Sequence, residues 1–231
     1  MAASAPSIPA PQPRRFRGLL VRAVSALVLG PLVLAALWFG FPWIDLIAAI
    51  AAPVIVSECI GLTPRRPLAR VFAIVYALAA LVALLWLRHQ PASGRETVLW
   101  IVAVVWATDI GAYFLGKLAG GVKLAPSISP GKTWSGLIGG MCWAAVASAM
   151  MGLAFDQGAT FGLAAIGVVL AIVAQMGDLL ESAAKRDAGV KDSGHLIPGH
   201  GGLLDRIDGL VAVLVAVALA RLIMGGDWPW A

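Results

Sequence analysis

The chain has 231 residues, 60% of them hydrophobic and 13% charged, with a mean hydropathy of +0.90. So much apolar side chain cannot be hidden in one water-soluble core of ordinary composition, which predicts a membrane protein. The net charge of +5 does not point to nucleic acid, because the basic residues stand at the ends of apolar runs, where membrane orientation and anionic headgroups account for them.

Residues 1–15 open with MAASAPSIPAPQP, a stretch rich in Ala, Pro and Ser that is expected to be a disordered tail. Residues 16–231 are expected to form a single integral membrane domain. A spanning helix needs ~20 apolar residues to cross ~30 Å of hydrocarbon. Runs of that size fall at 19–39, 43–62, 67–87, 97–117, 136–155, 159–178 and 207–225. The predicted fold class is therefore all-α, a polytopic transmembrane bundle of about seven spans. The first run is long enough to be an uncleaved anchor and not a secretory leader. The short join at 40–42, with Pro42 and the nearby Asp45, leaves open a re-entrant pair in place of the first two crossings.

Thirteen Lys and Arg fall in the tail and the even-numbered loops, against only Arg88 and Arg95 in the odd ones. The positive-inside rule then places the N-terminus in the cytoplasm. Arg22 and Arg221 lie near span ends, from which they would snorkel to the headgroups. Trp100, Trp106, Trp134, Trp228 and Trp230 lie near predicted ends and read as interfacial anchors. Cys59 and Cys142 lie far apart in apolar runs, without disulfide or zinc spacing, and read as small core residues. No internal repeat of the transporter kind is evident.

Charge gathers in one place. Six of the twelve acidic residues lie between Asp178 and Asp208, together with Lys185, Arg186, Lys191, His195, His200 and Arg206. An ionised side chain at membrane depth costs ~2.5–3.5 kcal/mol on insertion scales, so Asp178 implies a partner or a water-filled cavity. If the sixth helix continues past Gly177, then Asp178, Glu181, Ser182 and Lys185 share one face, and Asp205 and Asp208 form a second i, i+3 pair. Between them Gly199, Gly201 and Gly202 permit close backbone approach to a ligand. Carboxylates on two helices with Lys and Arg around them suit Mg²⁺ and a polyphosphate; a cytoplasmic loop laced with salt bridges remains the other reading. His195 and His200 lack a third soft ligand for a transition metal.

A second polar run follows the fourth span, where Asp109 lies in an apolar helix and Lys117, Lys123, Ser129 and Lys132 punctuate a Gly-containing loop. Gly131, Lys132 and Thr133 imitate the end of a nucleotide-binding P-loop. Pro126, however, stands at its first glycine and no strand is expected before it, so that motif fails. Gly136 and Gly140 have the spacing of helix packing.

The 27 residues from Ser182 to Asp208, SAAKRDAGVKDSGHLIPGHGGLLDRID, resemble the C-terminal signature of the phosphatidate cytidylyltransferase family. Ser182, Lys185, Arg186, Lys191, Asp192, Pro198, His200, Gly201, Gly202, Asp205, Arg206 and Asp208 stand at its demanding positions. The earlier run also resembles the family through Asp109, Tyr113, Ser129, Pro130, Lys132, Thr133, Trp134 and Gly136, with Ser135 where the family usually has Glu. Together the two runs cover about residues 104–210, and the chain is short for the family.

What the resemblance implies is a single membrane catalytic domain that transfers the cytidylyl group of CTP to phosphatidic acid, giving CDP-diacylglycerol and pyrophosphate for phospholipid synthesis. It implies Asp178, Asp205, Lys185, Arg186 and Asp208 as catalytic, with Asp178 and Asp205 holding Mg²⁺. Ser182, Lys191, His200, Gly201, Gly202, Arg206, Asp109, Ser129, Lys132 and Thr133 would bind substrate. A homodimer in the bacterial cytoplasmic membrane is implied as well. The rival readings are a CTP-dependent enzyme for another lipid phosphate or a polyprenol, and a secondary transporter. A CDP-alcohol phosphotransferase is disfavoured because its spaced aspartates are missing.

Overall fold

The computed structural model describes residues 14–64, 66–157, 160–194, 201–225 and 228–230. The helices run α1 Arg14–Phe39, α2 Trp43–Leu62, α3 Pro67–Arg88, α4 Gly94–Ala119, α5 Trp134–Ala154, α6 Thr160–Ala188 and α7 Leu204–Met224. The helices α2 to α7 are each long and apolar enough to cross a membrane; in α1 the apolar part with described side chains is Leu27–Phe39. Between α4 and α5 the chain departs from all-α. There β1 Lys123–Ala125 and β2 Ser129–Thr133 pair as an antiparallel hairpin, with Lys123 opposite Thr133 and Ala125 opposite Ser129.

Lipid tails give helices little hydrophobic reason to associate, so close backbone approach has to supply the packing. The α4–α5 contact shows this directly. A Cβ on Gly111 would lie 2.6 Å from the Gly139 carbonyl oxygen, and one on Gly139 would lie 2.6 Å from that of Gly111. Gly136 and Gly140 face Ala112 and Thr108 of α4 in the same way, so their spacing is indeed one of helix packing. Around this pair a core of Leu87, Val98, Trp100, Ile101, Val104, Leu163, Val213 and Val217 joins α3, α4, α6 and α7. A smaller cluster of Ile55, Cys59, Leu62, Ala77 and Leu204 ties α2 and α3 to the start of α7. Val82, Val146, Phe161 and Leu222 point outward and are exposed, as a lipid-facing surface requires.

The join at 40–42 separates two helices, and α2 is long enough to cross alone. Gly40 closes α1 with φ +76°, and Arg88 at the end of α3 donates from Nε to the Leu37 carbonyl at 2.6 Å and from Nη2 to that of Trp38 at 2.9 Å. A guanidinium thus satisfies carbonyls that the last turn of a helix leaves open.

Several expectations are corrected. Trp100 is fully buried and donates to Ser148 Oγ at 2.8 Å, with Trp230 edge-on to its ring, so it is a core residue. Arg221 does not snorkel: it is 4% exposed and donates to Ser93 Oγ at 3.1 Å. Cys142 is exposed, whereas Cys59 is buried as expected.

Candidate active site

The C-terminal ends of α2, α4 and α6, the N-terminal ends of α5 and α7, and the hairpin share one end of the bundle. The sixth helix does continue past Gly177, to Ala188. Gly177 sits where a Cβ would come within 2.8 Å of the Asp208 carbonyl oxygen, so α6 meets the first turn of α7 closely. The next turn of α6 therefore faces Asp205. Lys185 Nζ reaches Asp205 Oδ1 at 2.7 Å and Glu181 Oε2 at 2.9 Å, with side-chain exposures of 13%, 6% and 10%. A buried ammonium between two carboxylates is held by charge and hydrogen bonds together.

Asp205 does more than pair. Its Oδ2 accepts from Ser193 N at 2.8 Å, Ser193 Oγ at 3.0 Å and Gly202 N at 2.9 Å, which closes the α6–α7 connection onto α7. Gly201 passes this carboxylate with φ +88°, and a Cβ there would stand 2.9 Å from Oδ2. Only glycine fits such a turn.

The second polar run arrives through the hairpin. Lys132 Nζ forms an ion pair of 2.6 Å with Asp178 Oδ2 and donates to Gln175 Oε1 at 2.8 Å. Ser182 Oγ donates to Asp178 Oδ1 at 3.2 Å. Asp109, exposed on α4, lies within electrostatic range of Asp208, Asp178 and Lys132. An exposed acid on a spanning helix beside two others marks where the polar site opens to the surface.

The remaining expected residues divide. Arg186 is exposed and donates from Nε to the Ile128 carbonyl at 3.2 Å, tying α6 to the hairpin. Thr133 is buried and caps α5 by accepting from Gly136 N at 3.1 Å, so its hydroxyl has structural employment. Ser129 stands at the start of β2, and Lys191 and Arg206 are exposed. His200, like His195, Pro198 and Gly199, lies outside the described residues. Ser135, at the family's usual Glu position, donates to the Gly120 carbonyl at the end of α4 and contacts Thr133 Oγ1 of β2 at 3.0 Å, fastening α5 to both. A strand does precede the Gly131-Lys132-Thr133 run, contrary to expectation, but the run lies within β2 itself and not in a loop after a strand.

A model described as "Cytidylyltransferase family" matches residues 65–224. The chain belongs to that family. Its relatives include a phosphatidate cytidylyltransferase of Brucella suis, 46% identical over 144 residues, which are 62% of this chain and 53% of the relative. One of Haemophilus influenzae is 46% identical over 132 residues, 54% of this chain and 46% of the relative. One of Staphylococcus aureus is 36% identical over 179 residues, 75% of this chain and 69% of the relative. The chain spans about half the length of the Brucella and Haemophilus relatives. Both polar runs of the site lie inside the cytidylyltransferase-family match.

Among the described residues no group of three His, Cys, Asp or Glu side chains already stands in metal-ligand arrangement. The donor chemistry nonetheless fits a hard cation. Glu181 Oε1 is buried with no hydrogen-bond partner, and the Asp208 carboxylate interacts with it. A buried carboxylate oxygen that no donor reaches, with a second carboxylate within electrostatic range, suits a hard cation. Asp178 and Asp109 add oxygens on the same side. Of the expected ligand pair, Asp178 sits in this group, where Lys132 on its Oδ2 and Ser182 on its Oδ1 would have to yield to a cation. Asp205 has both oxygens engaged and would enter a cation's shell only by releasing Lys185 or its loop contacts.

Glu58, Gln175 and Ser193 belong to the same network and were not expected from the sequence. Glu58 was detectable, since an acid inside the apolar run 43–62 meets the same rule that singled out Asp109. Gln175 and Ser193 carry no comparable signal.

Proposed function

We propose that the chain transfers the cytidylyl group of CTP to phosphatidic acid, forming CDP-diacylglycerol and releasing pyrophosphate. The observation that carries this reading is the Lys132–Asp178 ion pair of 2.6 Å, which joins the hairpin to the charged end of α6, beside the second buried ammonium, Lys185. Two fixed ammonium groups near carboxylates on three helices form a site for phosphate oxygens that a transport pathway has no need of.

In the reaction an oxygen of the lipid phosphate bonds to the α-phosphorus of CTP. The α–β bridging bond breaks, and its electron pair leaves on pyrophosphate. The lipid is the nucleophile, so the protein's work is positioning and charge compensation. Lys132 and Lys185 are preorganised for phosphate oxygens, and exposed Arg186, Lys191 and Arg206 extend the positive rim toward bulk water. Asp205 holds Lys185 and the loop ends. Mg²⁺, when bound, would neutralise phosphate oxygens and the charge growing on the leaving group. Asp178, with Asp208 and Asp109 beside it, would hold the cation.

Asp109 on the exposed face of α4 supports access for a lipid headgroup from the bilayer, while the loop side admits CTP. The same reading includes a homodimer in the bacterial cytoplasmic membrane, checked by light scattering in detergent. The decisive test supplies the purified full chain in micelles with Mg²⁺, labelled CTP and phosphatidic acid. Equimolar CDP-diacylglycerol and pyrophosphate are expected, and a wild-type protein that yields neither overturns the proposal. Preference for a polyprenyl phosphate over phosphatidic acid in the same assay would reassign the lipid. Magnesium alone should raise the thermal midpoint of wild type more than that of Asp178→Asn, by mass action.

A further inference from the structure

Glu58 lies near the end of α2, outside the family match, and is 6% exposed. Its Oε1 accepts from Leu203 N at 2.8 Å, and its Oε2 accepts from Leu204 N at 2.8 Å and from Ser193 Oγ at 3.1 Å. The start of α7 has no side-chain cap of its own, because Leu203 stands at the N-cap. A carboxylate from another helix therefore satisfies main-chain donors that a helix start leaves open, where its negative charge also meets the positive end of the helix dipole.

The described parts of the connection, 189–194 and 201–203, make room for this carboxylate. A Cβ on Gly194 would approach Glu58 Oε1 to 2.6 Å and one on Gly202 to 2.8 Å, so glycine at both places leaves room for it. Ser193 Oγ contacts Glu58 Oε2 at 3.1 Å and Asp205 Oδ2 at 3.0 Å. With one proton to donate, that hydroxyl divides it between the two acids. A continuous chain thus runs from Glu58 through Ser193 to Asp205 and on to Lys185.

We propose that Glu58 is a positioning residue: it pins Ser193 and the start of α7 to α2, and through Ser193 it sets the orientation of Asp205 and Lys185 toward the phosphates. The proposal rests on the cytidylyl-transfer reading and deepens it. An apolar residue at this position would fill space against Ile55 and Leu204 but would leave the two α7 donors and the Ser193 hydroxyl without their acceptor.

The test uses the full chain in detergent and the variants Glu58→Gln, Glu58→Asp and Ser193→Ala, with two readouts. Glu58→Gln keeps the volume but turns an amide NH2 toward main-chain donors. Hydrogen exchange should quicken about tenfold or more in peptides covering Ser193 and Gly202–Leu204, and remain as in wild type in α4 and α5. Turnover with CTP should fall about tenfold to hundredfold through lowered kcat, with KM for phosphatidic acid within about twofold. Glu58→Asp, which keeps the charge on a shorter arm, should recover part of kcat, and Ser193→Ala should lose less than Glu58→Gln. Wild-type kcat in Glu58→Gln overturns the proposal, as does exchange that rises equally in every helix, which marks a global structural role. If Glu58→Gln does not fold, Ser193→Ala decides, and unchanged kcat there overturns it. A wild-type protein inactive with CTP and phosphatidic acid rejects the cytidylyl-transfer reading instead; the exchange experiment needs no turnover and then judges the anchoring by Glu58 alone.

Discussion

Lys132 stands 16% exposed between Asp178 and Gln175, the point where the hairpin touches α6. Lys132→Met removes a fixed positive charge from the proposed phosphate site and leaves Asp178 without its counter-ion. We expect kcat/KM to fall about hundredfold, or ~2.7 kcal/mol, in the cytidylyl-transfer assay, the size of losing one preorganised charge stabiliser. Lys132→Arg should recover little, because a planar fork does not reproduce a point charge aimed at two oxygens; a fully active methionine variant would remove Lys132 from the chemistry. Asp205 belongs to a different class. It is the more buried partner of its pair, at 6% side-chain exposure, and it also accepts three loop hydrogen bonds. Asp205→Asn should therefore cost stability as well as rate, about 3 kcal/mol for breaking a buried pair on one side, seen as a lowered thermal midpoint in detergent. Arg186→Gln gives the contrast, since Arg186 is exposed and bonds one carbonyl: the midpoint should stay within ~0.5 kcal/mol of wild type.

Helix by helix, the tightest constraint is the α4–α5 contact, because the hairpin that carries Lys132 is strung between these two helices. Gly139→Val would set a branched side chain against the Gly111 carbonyl and Leu115. Overpacking of this kind costs about 1–3 kcal/mol, and the hairpin should become sensitive to protease before the bundle unfolds; a variant with wild-type midpoint and protease resistance would show that the two helices can part freely. The spans were legible because an apolar run reports the hydrocarbon-buried part of a helix. It does not report polar turns beyond it, so α4 begins at Gly94 and α7 at Leu204, each three residues earlier than the apolar run. The continuation of α6 to Ala188 was legible conditionally, through the shared face of Asp178, Glu181 and Lys185. The hairpin was not, since its short strands hold Pro130 and Gly131 and show no alternation. Nor was the employment of Asp205: two acids spaced i, i+3 look alike in sequence, and only the fold sets Ser193 and Gly202 around one of them.

For the molecule as a whole, alternating helices carry each loop to one end or the other, and the candidate site shares its end with the basic loops. Lys117, Lys123, Lys132, Lys185, Arg186, Lys191 and Arg206 belong to that end, together with Arg66 and Arg70; Arg88 and Arg95 belong to the opposite one. By the positive-inside rule an asymmetry of this size predicts that this end faces the cytoplasm, the side from which the proposed nucleotide substrate would come. Single cysteines test it on a Cys142→Ala background, which removes the exposed native thiol and leaves buried Cys59 in place. Lys123→Cys, on the exposed hairpin, should react with a membrane-impermeant maleimide only after cells are permeabilised, whereas Ala92→Cys, exposed between α3 and α4, should react in intact spheroplasts. The reverse pattern would put the hairpin outside and separate the site from the proposed nucleotide. Labelling of both positions from one side would break the alternation of crossings between α3 and the hairpin, since α4 alone separates them and is 26 residues long.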